Sequence, residues 1–413
     1  MKAFFVSSLA ALATASVLPR AEKVDYSGFK AFRVAGDAKA VHEQTRQFHL
    51  SQISAANEVD VVVSPSKLAA FEALGLNSTL VDEDLGASIA SETQAEEYVS
   101  IAALPSTTWW DAYHPYADHL TFLRDLQGAF PANSEIVTAG TSAQGRVITG
   151  IHIWGNGGKN SKPNILFHGN VHAREWITSM NVEYFAYQLL TGYNNVAEVT
   201  TAVNKFDYYI FPVVNPDGFV YSQTTDRLWR KNRQTVSGNS CVGGDINRNW
   251  PYQWSVPGGS STDPCSETYR GVAQGDAPEN KGLVANVQAL KAARGIRLYI
   301  DFHSYGQYIL DPYGYDCSKK AANQAAQDAL AAGAGAAIRA VSGTVYTTGP
   351  SCSTLYATSG SSTDYVGDVG GATYTFTYEL RDTGRTGFVL PANQIRPTAV
   401  ETWAGVRYML ARV

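Results

Sequence analysis

The sequence predicts an α/β protein whose main unit contains a largely parallel β-sheet. Two observations support this: apolar strand-like segments and long segments of helical periodicity, which alternate after about residue 105. The strand-like segments include RVITGIHIW, NILFHG, DYYIFPVV, IRLYIDFH and TYTFTYEL, and the helical ones include WITSMNVEYFAYQLLTGY and PTAVETWAGVRYMLARV. Strands buried on both faces have this continuous apolar character. Ligands of such sheets lie beyond the carboxyl ends of the strands.

A smaller α/β unit is predicted before this sheet. Between about residues 22 and 100, FKAFRV and VDVVVSP are typical of strands, and VHEQTRQFHL and KLAAFEALGL are typical of helices. The stretch from Asp82 to Glu97 is acidic and rich in Ala and Ser, as an exposed connection would be. We therefore expect a boundary near IAALPSTTWW, just before residue 105.

The first residues are typical of a secretory signal peptide. Lys2 precedes the apolar run AFFVSSLAALA, and Ala13-Thr14-Ala15 is a small-x-small cleavage pattern. The alternative is a buried or membrane helix, but about eleven apolar residues cannot span roughly 30 Å of hydrocarbon. We expect residues 1–15 to be a signal peptide and the protein to be secreted to the extracellular space.

Composition excludes several classes of function. Of the 413 residues, 45% are hydrophobic and 17% charged, as in ordinary globular proteins. The net charge of -5 and pI near 5.9 offer no basic surface for nucleic acid or an anionic membrane, so neither is expected as a partner.

Four cysteines in an exported chain indicate disulfides, not a thiolate metal site. They allow three pairings, of which proximity in sequence favours Cys241 with Cys265 and Cys317 with Cys352.

Candidate metal ligands follow two of the predicted strands. His168 and His172 are four residues apart in ILFHGNVHAREWIT, but the strand-like NILF and the Gly-Asn pair after it argue against a helical zinc pair. His172 and Glu175 remain, in a turn leaving the strand, and His303 ends the strand IRLYIDFH. A surface turn and a buried hydrogen-bonded histidine are the alternatives. A catalytic zinc needs three protein ligands and an open position, which this set would supply.

Charged residues elsewhere provide candidates for catalysis. Glu379 closes the apolar run YTFTYEL, where an unpartnered carboxylate would be costly unless a metal or cation lies nearby. It is a candidate general base. Arg230, Arg233 and Arg248 lie in loop-like segments and could stabilise a developing oxyanion, although solvated surface arginines are the alternative.

Seven motifs occur in order across residues 105–413: VHAREWIT, RKNR, GDINRNW, PCSETYRG, DFHSYG, DPYGY and ELRDTGRTGFVLPANQIRPTA. Together they resemble the carboxypeptidase A/B family of secreted zinc carboxypeptidases. YSGFKAFRV is similar to the start of the family's inhibitory propeptide. The resemblance implies a propeptide domain at 16–104 and a catalytic domain at 105–413. It also implies an eight-stranded mixed sheet with helices on both faces, preceded by a small antiparallel α/β prodomain.

The resemblance assigns roles to individual residues. It implies one Zn²⁺ per chain, with His172, Glu175 and His303 as ligands. It makes Glu379 the general base and Arg233 the group that polarises the scissile carbonyl, and it gives His168 no role. Asp245 matches the carboxylate that orients His172. The substrate's terminal carboxylate would be held by Asn247, Arg248 and Tyr356, here called the carboxylate clamp.

The resemblance also concerns specificity and partners. The base of the specificity pocket is Thr363, a neutral residue, which implies a preference for aromatic and large aliphatic C-terminal residues. Asp364, one position on, would make the pocket acidic if the register shifted by one. The expected partners are peptide and protein C-termini, the chain's own propeptide as inhibitor, and an activating protease. The Cys241–Cys265 bridge is a family feature, and non-proline cis peptides are implied at Ser304-Tyr305, Pro312-Tyr313 and Arg381-Asp382.

Two other functions are compatible with parts of this pattern. A zinc amidase or deacylase on the same fold would not need the full carboxylate clamp, so the clamp counts against it. A catalytically inactive binding module would not need Glu379 and Arg233.

Overall fold

The computed structural model describes residues 22–55, 57–92, 98–100 and 103–413. The predicted signal peptide, residues 1–15, lies outside the described residues. Within those residues the chain forms a four-stranded antiparallel sheet near the N-terminus and an eight-stranded mixed sheet after it. The predicted fold class is confirmed.

The N-terminal unit packs helices against its sheet, whose strand order is β2-β3-β1-β4. Alternate residues Val59, Val61 and Val63 of β3 pack into one apolar cluster with Phe71 of α2, because alternate side chains of a strand point to the same face. On the opposite face, Val62 packs with Leu228 of the larger unit. The elements are β1 (Lys30–Ala35), α1 (Ala38–Thr45), β2 (Leu50–Ala55), β3 (Glu58–Val63), α2 (Leu68–Glu72), β4 (Ser78–Asp82) and α3 (Leu85–Ser91).

The larger unit follows with a longer succession of helices and strands. It begins with α4 (Tyr116–Ala129), β5 (Ser134–Thr141), β6 (Val147–Ile153), β7 (Asn164–His168), α5 (Trp176–Gly192), α6 (Ala197–Lys205), β8 (Asp207–Phe211) and α7 (Pro216–Thr224). It continues with α8 (Pro278–Ala293), β9 (Ile296–Ser304), β10 (Tyr308–Asp311), α9 (Gln324–Ser342), β11 (Thr347–Pro350), α10 (Ser351–Thr354), α11 (Ser362–Asp368), β12 (Tyr374–Leu380) and α12 (Ile395–Leu410). Short 3₁₀ helices include Thr107–Asp111 and Ile246–Arg248.

The strand order of the large sheet is β11-β10-β12-β9-β7-β8-β6-β5. The central strands β8, β7, β9 and β12 run parallel to one another, and β10 and β11 are also a parallel pair. The pairs β5–β6, β6–β8 and β10–β12 are antiparallel. The apolar segments thus predicted the parallel centre of the sheet, and the family resemblance predicted its mixed character.

Helices cover both faces of this sheet because the buried strands alternate their side chains between two cores. In β7, Phe167 packs into a cluster that includes Phe185 of α5 and Trp403 of α12. Its neighbour Leu166 packs into a second cluster with Val287 of α8. Continuous apolar strands therefore reflect burial on two faces, as their sequence predicts.

Two disulfides and three cis peptides agree with the expectations from sequence. The disulfides join Cys241 to Cys265 and Cys317 to Cys352. The cis peptides are Ser304-Tyr305, Pro312-Tyr313 and Arg381-Asp382. Among the described residues, no helix has the length and apolar character needed to cross a membrane.

Candidate active site

The candidate site lies where three neighbouring parallel strands end. β7, β9 and β12 are adjacent in the sheet, so their carboxyl ends meet at one edge. His172 lies in the turn after β7, and Glu175 is the residue immediately before α5. His303 and Glu379 are the penultimate residues of β9 and β12. This order of strands explains how residues more than two hundred positions apart lie in one cleft.

His172, Glu175 and His303 form a compact buried group, here called the metal-type group. Their potential ligand atoms all lie within 4.8 Å of one another. His172 Nδ1 is 2.8 Å from Glu175 Oε1 and 3.1 Å from His303 Nδ1, which is itself 3.2 Å from Glu175 Oε2. Two imidazole nitrogens and one carboxylate suit Zn²⁺. The donor set therefore fits a zinc ion.

Each of the two histidines directs its other ring nitrogen to a buried carboxylate. His172 Nε2 is 3.1 Å from Asp245 Oδ1, and His303 Nε2 is 3.2 Å from Asp301 Oδ2. Arg230 donates to Asp245 Oδ2 over 2.8 Å. Burial acts to raise the pKa of Asp245, but the charges of Arg230 and His172 outweigh it and hold that pKa well below its usual value. Asp245 therefore stays ionised.

Glu379 lines the same cleft as the metal-type group. Burial in the cleft raises the pKa of its carboxyl, and the nearby Glu175 acts in the same direction, whereas His303 and Arg230 act to lower it. A carboxyl with a raised pKa is a stronger base than an exposed one once it is ionised, which is the property a general base requires.

The structure does not bring Arg233 to the cleft. Its guanidinium stacks on Tyr221 and Trp229, 3.6 Å and 4.4 Å from the ring centroids. Arg230 lines the cleft instead. The Arg230 carbonyl accepts a hydrogen bond from the Ala173 N–H over 3.0 Å, which fixes Arg230 beside the turn that carries His172. Of the two arginines, the structure therefore places Arg230 at the cleft and Arg233 on the two aromatic rings.

The predicted substrate-binding residues all line the cleft: Asn247, Arg248, Tyr356 and Thr363. The 3₁₀ helix Ile246–Arg248 begins after Asp245, whose side chain accepts from the Asn247 N–H over 2.8 Å. Arg248 is buried and donates through Nη1 to the Asn247 carbonyl, while its Nε has no hydrogen-bond partner among the described residues. A buried guanidinium with free donors is suited to bind an anion.

Thr363 lines the cleft together with small or apolar side chains and the carboxyl groups of Asp311 and Asp364. The Thr363 and Thr377 hydroxyl oxygens are 2.7 Å apart and form one hydrogen bond. Both carboxylate oxygens of Asp364 accept from the Gly314 N–H at 3.1 Å, so this carboxylate is hydrogen-bonded to the protein backbone. Burial raises the pKa of Asp364 to about 6. The register that places the neutral Thr363 in the pocket is compatible with this arrangement.

The N-terminal unit lies over the same cleft. Gln52, Ile53 and Ser54 of β2 line it together with His172 and Glu175. The Gln52 side-chain oxygen accepts from Arg174 Nη2 over 3.0 Å.

Two further contacts join the N-terminal unit to the larger unit, one of them at the cleft residue Tyr305. The hydroxyl of Tyr305, two residues after His303, donates a hydrogen bond to Asp60. Glu92 forms a buried two-point ion pair with Arg227, with oxygen–nitrogen distances of 2.6 and 2.7 Å. The Arg227 guanidinium also stacks on Trp176, 3.8 Å from the ring centroid.

The α/β fold and the metal-type group at its sheet edge define a metal-dependent hydrolase. Comparison with known proteins specifies the family: the family model described as zinc carboxypeptidase, Peptidase M14, matches residues 119–405. The chain belongs to this zinc carboxypeptidase family and is a metallocarboxypeptidase.

Similar proteins include curated relatives and solved structures. Metallocarboxypeptidase A of Trichophyton rubrum is 47% identical, covering 99% of both chains. Mouse carboxypeptidase A4 is 37% identical, covering 82% of this chain and 79% of the relative. The structure of thrombin activatable fibrinolysis inhibitor matches with a TM-score of 0.84 and 27% identity, over 94% of this chain and 99% of the other. Carboxypeptidase A of Helicoverpa armigera matches with a TM-score of 0.78 and 28% identity, over 94% and 98%.

Proposed function

We propose that this metallocarboxypeptidase is a secreted zinc exopeptidase, made as a zymogen, that hydrolyses the C-terminal peptide bond of peptides and proteins. One observation carries the proposal. A zinc-type donor set and the buried, only partly bonded guanidinium of Arg248 lie in a single cleft. Such a cleft can hold a reactive centre and a terminal carboxylate at a fixed separation.

One Zn²⁺ per chain would be held by His172, Glu175 and His303. The fit is supported by their mutual distances and by the buried carboxylate beside each histidine. When bound, zinc supplies Lewis acidity that activates water and polarises a carbonyl. The protein's own residues do the remaining work of binding, orientation and proton transfer.

Glu379 accepts the proton from the attacking water and returns it to the leaving amine. Its place in the cleft and its raised pKa support this role. Arg230 donates hydrogen bonds to the carbonyl oxygen as negative charge develops there. Burial acts to lower the pKa of Arg230, but the negative charge of Asp245 outweighs this effect and the pKa is raised overall. The guanidinium therefore remains charged.

The carboxylate clamp determines that the enzyme cuts at chain ends. Arg248 pairs with the two oxygens of the substrate's terminal carboxylate, because its planar guanidinium matches their geometry. Asn247 and Tyr356 add hydrogen-bond donors from the same cleft. An amidated C-terminus lacks the charge that this clamp binds.

The specificity pocket favours aromatic and large aliphatic C-terminal residues. Leu310, Leu355 and the neutral Thr363 line the cleft. Asp311 and Asp364 also line it, and their carboxyl groups accept hydrogen bonds from Gln324 and Gly314 of the protein itself. The Thr363 and Thr377 hydroxyls are hydrogen-bonded to each other, which lowers the cost of placing an apolar group against them.

Residues 16–104 act as an inhibitory propeptide, and an activating protease cuts near residues 98–112. The position of Gln52, Ile53 and Ser54 in the cleft supports inhibition by steric exclusion of substrate. Secretion is supported by the signal-like first fifteen residues and by the two disulfides.

The test compares one peptide with a free and an amidated C-terminus, using purified enzyme after limited proteolysis. We expect release of the terminal residue from the free acid alone, loss of that activity with a strong chelator, and recovery with added zinc. Equal hydrolysis of both peptides would favour an amidase. No hydrolysis by zinc-loaded enzyme would favour an inactive binding module.

A further inference from the structure

Asp301 and His303 lie on the same face of β9, because residues two apart in a strand point to the same side. Asp301 is fully buried, and its Oδ2 is 3.2 Å from His303 Nε2. His303 Nδ1 faces the other way, towards His172 and Glu175. If Nδ1 binds the metal, Nε2 carries the ring proton and needs an acceptor. Asn247 Nδ2, at 3.3 Å, is itself a donor, so Asp301 is the acceptor.

This arrangement repeats the one around His172. There Nδ1 also faces the metal-type group, and Nε2 is 3.1 Å from the buried Asp245. A carboxylate behind a metal-binding histidine fixes its tautomer and ring orientation and increases its basicity. The two histidines are therefore held by equivalent carboxylates from different parts of the chain.

Asp301 is itself held in place by α11. The Ser362 hydroxyl donates to Asp301 Oδ2, and the Ser362 N–H donates to Asn247 Oδ1 over 2.8 Å. Asp301 thus has a fixed orientation and is linked through one serine to the carboxylate clamp.

We propose that Asp301 is a positioning residue that holds His303 in the tautomer and orientation required to bind zinc. The proposal rests on the proposed function, since it takes His303 as a zinc ligand. It adds a residue that the family resemblance did not assign.

The test measures zinc affinity of the full chain by competition with a chelator of known affinity. We expect Asp301→Asn to weaken zinc binding about 10–100-fold, the usual effect of removing such a partner. The absorption spectrum of the cobalt-substituted protein should also shift, because the orientation of one ligand changes. Ser362→Ala should weaken zinc binding in the same direction but less.

Asp207→Asn is the matched control. Asp207 is also a fully buried carboxylate paired with a histidine, 2.9 Å from His152 Nε2. It is the first residue of β8, however, so it lies at the amino ends of the parallel strands and not at the carboxyl ends that carry the metal-type group. This variant should lower the thermal midpoint equally with and without zinc and leave the cobalt spectrum unchanged. Asp301→Asn should reduce the zinc-induced rise in the midpoint.

The outcomes separate the inference from the proposed function. If the parent chain binds zinc and cleaves peptides while Asp301→Asn and Ser362→Ala keep parental zinc affinity and cobalt spectra, Asp301 does not position His303. If Asp301→Asn does not fold, Ser362→Ala alone decides between these results. A parent chain that binds no zinc would overturn both proposals.

Discussion

Glu379 and His303 are directly opposite each other in the parallel pair β12 and β9. The pairing of the two strands therefore holds the proposed base and the proposed metal ligand next to each other. We expect Glu379→Gln to lower kcat at least about a hundredfold, the usual scale for a positioned base. Zinc content and thermal midpoint should stay near the parental values. A Glu379→Gln enzyme with parental kcat would exclude Glu379 as the base.

Arg230 and Arg233 provide a paired comparison within one segment. We expect Arg230→Ala to lower kcat about 10²–10³-fold, as removal of a donor to a developing oxyanion does. Arg233→Ala should leave kcat within about twofold, because its guanidinium stacks on Tyr221 and Trp229 away from the cleft. Steady-state kinetics on one peptide would decide, and the reverse ranking would restore Arg233 to the mechanism.

Arg248→Ala should impair recognition of the terminal carboxylate. The loss in kcat/KM for a free-acid peptide should be about 2–5 kcal/mol, the range for breaking a buried charged pair. The residual activity on an amidated peptide should change much less. An equal loss on both peptides would show that Arg248 does not bind the carboxylate.

Thr363→Asp should change the residue that the enzyme prefers to remove. A carboxylate in the pocket offsets the desolvation of a lysine or arginine side chain and disfavours phenylalanine and leucine. We expect the ratio of kcat/KM for basic over aromatic substrates to rise at least tenfold. A parent enzyme that already prefers basic residues would contradict the proposed pocket.

Glu92→Ala should loosen the N-terminal unit from the cleft. It removes one partner of the buried ion pair with Arg227, a change that costs about 3–5 kcal/mol in comparable sites. We expect higher activity of the uncleaved chain on a small peptide and faster activation by a protease. Glu72→Ala, at an exposed position of the same unit, is the control and should behave as the parent. Unchanged activity of uncleaved Glu92→Ala would indicate that this ion pair does not hold the unit in place.

The sequence predicted those parts of the site that regular structure positions. His303 and Glu379 end apolar strands, and parallel strands of one sheet end at the same edge. His172 and Glu175 follow a third such strand. Burial on two faces produces a strong apolar pattern, so the strands and their ends were recognisable.

Loops carry no such pattern, so the sequence did not show which of the loop arginines would lie at the cleft. Arg227, Arg230 and Arg233 are spaced three apart in a segment without helix or strand. The long-range contacts of Arg230 with Ala173 and Asp245 place it at the cleft, and sequence alone does not reveal such contacts. Asp301 was missed for a different reason. An Asp two residues before a predicted metal ligand on one strand face was a usable signal, but it lay inside a run interpreted only as apolar core.

Ser362 and Thr363 are consecutive residues in the first turn of α11, yet they differ in how freely they can be varied. The Ser362 hydroxyl and N–H are committed to Asp301 and Asn247. Within the described part of the chain, the Thr363 hydroxyl is paired with that of Thr377 at the cleft wall. Laboratory evolution of substrate preference should therefore randomise position 363 and keep Ser362. A library that varied both positions would contain many variants that bind zinc weakly, because Ser362 holds Asp301.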